Sequence, residues 1–487
     1  MSVVRNTGYN FAAMLVPTLV ALVTLPLYIH TMGEERYGVI ALVTALIGYF
    51  GLFDFGLSAA SAQRIAAADP DDIAARRSIF WTAAGINLAL GLLGALLLAP
   101  IAWVFFGSAE GTSAELRAEI NGSIVWIALA LPIMLLSGVL RGALQGAGRF
   151  AEMNLINVVM GPATQIIPLL VAIYVSPSLI WVLPTLYFVR LLALAMQAIV
   201  VAKRVIHGWT PCFDRSRVRD LLSFGGWVTL SAVVDPLLTT IDRFVIGSFL
   251  GMKSVSHYTV PYQLAQRSLI VPSALLDAML PRLAGANEAE ALGVSKRGMR
   301  AVVALMTPPM IAGIAFIHSF LSLWISRDFA DSAALPAQFM LAGCWFNAIG
   351  FCCFQHLRAR GRPRLIAIAH LIEIPPYLLC LWAGMYFYGL AGAAAAFAVR
   401  VAFDDALLAW FGGLWAEFVK LIAIAAPALA LAFWVGAGVA GSTTLFSPSV
   451  IAAALLILAS SLAALAWLYG QRETLRAAFR FRRAVSE

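Results

Sequence analysis

Repeated apolar runs of about 20 residues, separated by short polar connectors, constrain this chain more than any other feature. A helix that crosses the hydrocarbon core of a bilayer needs roughly 20 predominantly apolar residues. By that measure spans are predicted near residues 9–30, 38–60, 79–106, 123–142, 151–174 and 179–202. After a polar break they resume near 221–250, 256–280, 300–325, 334–357, 365–388, 390–412, 420–440 and 449–469. The expected fold is therefore an all-α polytopic membrane protein of about 14 transmembrane helices. Composition agrees: 61% of the 487 residues are hydrophobic and 12% are charged, against roughly 45–50% and about 25% in a soluble domain. Too little polar surface exists to solvate a globule, which excludes a soluble enzyme, a secreted disulfide scaffold and a disordered regulator.

The basic residues record an orientation. On this threading twenty-five Lys and Arg fall in loops on the side of the two termini, four on the opposite side (Arg36, Arg117, Lys253 and Arg327) and four inside spans. Basic loops stay on the cytoplasmic side, so both termini are expected there, in a bacterial inner membrane. The net charge of +8 is thus topological and does not imply nucleic acid. The first apolar run, from Phe11 to Ile29, is followed by Gly33-Glu34-Glu35-Arg36 and not by a small-residue cleavage site, so it is expected to be a retained helix. Five cysteines (Cys212, Cys344, Cys352, Cys353 and Cys380), mostly within apolar runs, are expected as small core residues. The tail places Arg476, Arg480 and Arg483 at helical spacing, suited either to the anionic inner leaflet or to a solvated flank.

The chain also repeats itself. A shift of 218 residues lays Gly8 on Gly226, Gly33 on Gly251 and Arg64-Ile65-Ala66 on Arg282-Leu283-Ala284. Later, Leu144-Gln145-Gly146-Ala147-Gly148-Arg149 resembles Leu357-Arg358-Ala359-Arg360-Gly361-Arg362, and each is followed by a proline (Pro162, Pro375) at the same distance. The predicted organisation is a six-helix half over 1–202, a linker over 203–220, a second six-helix half over 221–412, two additional helices over 413–470 and a basic tail over 471–487. Parallel halves of this kind imply a pseudo-two-fold along the membrane normal.

The opening Arg5-Asn6-x-Gly8-Tyr9-Asn10, the corner Gly33-Glu34-Glu35-Arg36-Tyr37-Gly38, then Asp54-Phe55-Gly56-Leu57 and Arg64-Ile65-Ala66 carry a family resemblance. So does Asp242-Arg243-Phe244-Val245-Ile246-Gly247 in the second half. Together they resemble the polysaccharide transporters of the multidrug/oligosaccharidyl-lipid/polysaccharide exporter superfamily, the Wzx-type flippases of O-antigen and exopolysaccharide repeat units. The resemblance implies a flippase of undecaprenyl-pyrophosphate-linked oligosaccharide, working by alternating access. It implies as partners the lipid-linked substrate, membrane lipids, a polysaccharide polymerase and a chain-length regulator.

Enzymatic chemistry finds no support in the residues. None of the four lysines follows a glycine, so no Gly-Lys-Ser/Thr phosphate loop exists, and no His-Glu-x-x-His is present. Neither a metal nor another cofactor is expected; coupling to protons, sodium or the membrane potential stays open.

Charges inside spans carry the remaining information, because each costs roughly 2.5–3.5 kcal/mol if it faces lipid. Arg190 and Arg267 have no acid at i±3 or i±4 and are the first candidates for a phosphate site. Arg400 has Asp404 one turn away, suited to neutralisation or to ligand binding, and Arg243 beside Asp242 suits an interfacial anchor. Asp235 and Asp242 share a helix face around Pro236 and are candidates for ion coupling, with helix capping the plainer role. Asp54 and Asp277 are candidate gate residues near inner helix ends. Glu373 shares a face with His370 and Tyr377 in a polar patch also readable as helix packing. Gly142-x-x-x-Gly146 and Gly247-x-x-x-Gly251 are expected as close-packing sites. Two rivals to the flippase are a cation-coupled multidrug antiporter of the same superfamily and a non-transporting scaffold of a glycan assembly complex.

Overall fold

A computed structural model of the chain describes residues 3–50, 54, 56–69, 71–108, 112–218, 234–441 and 447–470. The expected tail over 471–487 and the first part of the 221–250 span lie outside the described residues. The long helices are α1 (Val3–Met32), α2 (Glu34–Phe50), α3 (Leu57–Ala67), α4 (Ile73–Ser108), α5 (Ala114–Gly146), α6 (Phe150–Tyr174) and α7 (Leu179–Arg204). They continue as α8 (Val234–Arg267), α9 (Ile270–Gly285), α10 (Glu288–Trp324), α11 (Arg327–Ala359), α12 (Pro363–Phe411), α13 (Trp415–Ala440) and α14 (Pro448–Gly470). Among the described residues nine helices are individually long and apolar enough to cross a membrane.

Order and number match the fourteen expected spans once four helical interruptions are assigned, the first being the corner at Gly251 that divides α8 between the seventh and eighth spans. The 365–412 stretch is one hydrogen-bonded run, but Gly389 (φ 56°, ψ −134°) reverses it into two spans. The eighth span is split: α8 ends at Arg267 and α9 begins at Ile270. The second span departs most from expectation: beyond the described part of α2, Asp54 and Gly56 lie outside α-helix, Gly56 with a left-handed φ of 67°, and α3 then carries the helix on to Ala67.

The internal repeat is written in the backbone. Gly33 and Gly251 turn the chain with φ of 83° and 80°. Only glycine adopts this conformation without a Cβ penalty. The second pair of motifs closes with one hydrogen-bond pattern: Arg149 N–H donates to Leu144 O at 2.8 Å, and Arg362 N–H to Leu357 O at 3.0 Å. Gly148 and Gly361 hold the left-handed position in each, with φ of 69° and 65°.

Two compact units form, Met1–Ser256 and His257–Glu487, their sequence boundary falling within α8. In the first unit, apolar Leu57, Ile65, Phe80, Val139, Leu144 and Val201 make one buried cluster. Lipid is as apolar as these side chains, so close van der Waals contact has to hold the helices together. Gly138, Gly142 and Gly146 supply it by forming a stripe along α5 against which α3 lies. A Cβ on Gly138 would stand 2.5 Å from Ser58 Oγ, and those on Gly142 and Gly146 would collide with the Ser58 and Ala62 backbone. The expected Gly247-x-x-x-Gly251 pair differs: Gly247 packs on Val255 and Leu42, but Gly251 is a corner. The connector after α7 folds back onto α4. Arg77 donates to the Ile206 and His207 carbonyls at 3.1 Å, and Thr82 Oγ1 accepts from Asp214 N–H at 2.9 Å. The Ser216 hydroxyl and amide, with Arg217, hold the Asp214 carboxyl below its ordinary value.

In the second unit α10 carries the two additional helices. Arg300 grips Glu417 of α13 with bonds of 2.6 and 2.9 Å. Gln338 Nε2 donates to Ile314 O at 2.9 Å, beside Gly436, where a Cβ would clash. Cys344, Cys352 and Cys353 are buried as expected, whereas Cys212 and Cys380 are exposed; all five are free thiols.

Candidate functional site

Two groups of charged and polar side chains lie inside spans, one in each unit. In the first, Arg190 sits halfway along α7, about 16 Å by helical rise from Leu179. It is partly buried, and its guanidinium lies 6.0 Å from the Tyr187 ring centre. No carboxylate among the described residues pairs with it, in keeping with the absence of an acid one turn away. A guanidinium held this way in low dielectric offers five donors to an anion.

On α3, α4 and α5 of the same unit, the Asp54 carboxylate is tied down by neutral donors. Its Oδ1 accepts from Asn87 Nδ2 at 2.6 Å and Ser58 Oγ at 2.8 Å, and its Oδ2 from Ser58 N–H at 3.1 Å. Asp54 thus caps α3 at the interruption of the second span, and its partners are Asn87 and Ser58, not an arginine.

The group in the second unit spans the Gly389 reversal of α12. Arg400 faces Glu373 at 3.4 Å, its guanidinium 5.3 Å from the Tyr377 ring and 5.6 Å from that of Phe397. Glu373 and Tyr377 are fully buried, so the polar patch expected with His370 forms around Arg400. The ion pair is therefore with Glu373, across the hairpin, while Asp404, the neighbour one turn away, lies 3.8 Å from His370. Asp405 is buried too, and its carboxylate packs on the backbone of Gly350, where any Cβ would overlap it. Removing one member of a buried ion pair typically costs 3–5 kcal/mol, so Arg400 and Glu373 hold the hairpin closed.

The other expected residues are dispersed. Asp242 is buried and its carboxylate accepts from the Arg243 amide at 2.8 Å; Arg243 is partly buried. Arg267 is exposed at the end of α8. The side chains of Asp235 and Asp277 lie outside the described residues. Among the described residues no group of three or more His, Cys, Asp or Glu is arranged to hold a metal ion. Sequence reasoning passed over two participants. Asn87 is neutral and hidden in an apolar run, and Glu119, assigned to a loop, is gripped by Arg36 at 2.7 Å and accepts from the Leu179 amide at 3.0 Å. Only a polar residue in an otherwise apolar stretch signalled the first.

The chain as a whole is similar to several known proteins. The chain is 27% identical over 415 residues to a protein named a putative O-antigen transporter from Shigella flexneri, covering 84% of this chain and 97% of that protein. Among solved structures, the lipid II flippase MurJ in an inward closed conformation superposes with a TM-score of 0.72 at 15% identity, over 96% of this chain and 99% of that one. An inward-facing multidrug resistance MATE family transporter of the MOP superfamily gives 0.66 at 14% identity, over 85% and 98%. The two structural likenesses establish the fold, an all-α one shared with those proteins. Residues 3–286, more than half of the sequence, match the polysaccharide biosynthesis protein family, and the chain belongs to that family.

Proposed function

We propose that this chain is a flippase for lipid-linked oligosaccharides, moving an undecaprenyl-pyrophosphate-linked repeat unit across the bacterial inner membrane by alternating access. Its two termini would lie in the cytoplasm. Family membership and the fold shared with a lipid II flippase support the class of function. The observation that carries the substrate chemistry is Arg190, a mid-span guanidinium with no carboxylate paired to it among the described residues. A pyrophosphate is the complementary group: doubly anionic, with oxygens that accept bidentate hydrogen bonds.

No phosphate loop for nucleotide is present in the sequence, so the drive would come from gradients. A headgroup of charge about −2 leaving a negative interior gains roughly 5 kcal/mol per 100 mV. That matches the ~5.5 kcal/mol needed to swing a two-state carrier from 1:99 to 99:1. The antiporter reading draws on a different observation, the buried acids Glu373 and Asp405 with Asp404 beside the single Arg400. Transport of a fluorescent lipid-linked pyrophosphate in proteoliposomes separates the two. Arg190→Ala should lose it and Arg190→Lys retain part, since charge survives while the planar fork does not. Undiminished flipping by Arg190→Ala, in protein of normal melting behaviour, would remove Arg190 from the substrate site.

A further inference from the structure

We propose that the cytoplasmic edge of α10 and α13, in the second unit, binds the head group of an anionic phospholipid of the inner leaflet. Cations gather there in excess of acids. Arg300 holds Glu417 with bonds of 2.6 and 2.9 Å, and the charges of Lys296 and Lys420 also act on that carboxylate. Lys296 lies one turn before Arg300 on α10, and Lys420 one turn after Glu417 on α13. Neither lysine forms an ion pair or a hydrogen bond among the described residues. Like charges one turn apart on a helix repel. Glu417, with a side chain 8% exposed and engaged by Arg300, is one charge against three.

The depth of these cations follows from the residues beyond them. From Ala301 to Ile317 α10 carries no charged residue, and α13 carries none from Leu421 to Ala440. By helical rise the second stretch is about 30 Å long, the thickness of the hydrocarbon layer. Lys420 and, through the Glu417 bridge, Arg300 therefore stand at the level of the lipid phosphates. Just inside, Leu305 is 39% exposed and Ile424 is 65% exposed, which offers acyl chains an apolar surface. Just outside, Trp410 and Trp415 are exposed where α12 turns into α13, their rings 5.8 Å apart, and Trp415 stacks on Phe418. Gly413 makes that turn with φ of 66°, and Leu414 N–H closes it on Ala409 O at 2.8 Å. Indole rings are at home between head groups and acyl chains.

This combination selects the occupant. A nucleic acid or an acidic protein needs cations in open water and gains nothing from apolar surface directly beneath them. Arg300 spends Nε and one terminal nitrogen on Glu417, so its other terminal nitrogen is left for a phosphate oxygen without breaking the bridge. Three cations against one acid leave a surplus of two. That surplus matches a head group with two phosphodiesters, as in diphosphatidylglycerol, better than a single phosphate. Bound there, the lipid straps α13, the first of the two additional helices, to α10.

The test uses the full-length protein in phosphatidylcholine nanodiscs containing increasing diphosphatidylglycerol, followed by thermal unfolding. Native mass spectrometry in neutral detergent counts the lipid retained. Wild type should keep one diphosphatidylglycerol and gain a saturable rise in melting temperature. Lys296→Gln and Lys420→Gln should each weaken binding about fivefold, or ~1 kcal/mol per basic residue at the membrane surface. Melting in phosphatidylcholine alone should stay unchanged, since the Arg300–Glu417 bridge is intact. Lys420 is exposed, so Lys420→Gln carries the test where Lys296→Gln does not fold. Lys203→Gln/Arg204→Gln removes two charges at the end of α7 and should bind as wild type. No preference over phosphatidylcholine, or an equal loss in the α7 control, would overturn the site. So would tighter retention of undecaprenyl pyrophosphate that is lost in the same two variants, which would give these lysines to the transported lipid. No transport is measured, so failure here leaves the flippase reading standing.

Discussion

The clamp between Arg36 and Glu119 should reveal itself as an asymmetry between its two partners. Arg36 joins the start of α2 to α5, with bonds of 2.7 to 3.2 Å to Glu119 and one of 3.0 Å to Glu115. The Glu119 side chain is 8% exposed and that of Arg36 is 26% exposed. Deleting Arg36 therefore strands a buried carboxylate whose remaining donors, the Leu179 amide and Ser178, are neutral, with a cost of about 3 kcal/mol, the low end for breaking a buried pair. Deleting Glu119 frees an arginine that can reach water and Glu115, so about 1–2 kcal/mol is expected, a charged hydrogen bond. Removing both leaves no stranded charge. The double variant Arg36→Ala/Glu119→Ala should be more stable than Arg36→Ala alone. Thermal unfolding of the purified protein in nanodiscs, arranged as a double-mutant cycle, measures this directly. Additive losses, or a greater loss for Glu119→Ala than for Arg36→Ala, would refute the clamp.

Packing makes a second contrast. Gly142→Ala should destabilise by about 1–3 kcal/mol because α3 lies against that position. Gly107→Ala meets nothing within 4 Å and should be neutral in the same melt. Topology is checked with single cysteines in a background lacking the exposed Cys212 and Cys380. Asp328→Cys should label from outside and Arg297→Cys only after permeabilisation, and labelling of both from one side would refute the threading. Collapsing an inside-negative potential should slow outward flipping in proteoliposomes, and an unchanged rate would remove the potential as a drive.

The spans were legible because burial in lipid demands apolar side chains around most of a helix, a demand that needs no knowledge of neighbours. The helix interruption between α2 and α3 was not. Its residues are apolar enough to pass for continuous helix, and only Asp54 and Gly56 hint otherwise. Sequence spacing found residues around Arg400 and offered Asp404 as a partner, while the closest carboxylate in the fold is Glu373. Asp404 is one turn away, whereas Glu373 is brought close by the reversal at Gly389, a tertiary event that no helical period encodes. The lone character of Arg190 was readable because it depends on what its own helix lacks. Asn87 escaped notice because intramembrane reasoning looks for charge, and it is a neutral donor to the Asp54 carboxylate.

The paired corners have a consequence for how such a protein changes over time. Gly33 and Gly251, like Gly148 and Gly361, fix where each half turns by backbone conformation alone, with glycines that have no side chain to contribute. The route of the chain is thereby uncoupled from the residues strung between the corners. The side chains between the corners differ: Arg400 stands where a 213-residue shift finds Tyr187, and Pro272 where a 218-residue shift finds Asp54. Corners that repeat without their side chains leave each stretch its own chemistry: a guanidinium without a paired carboxylate among the described residues at Arg190, and a cluster of acids around Arg400.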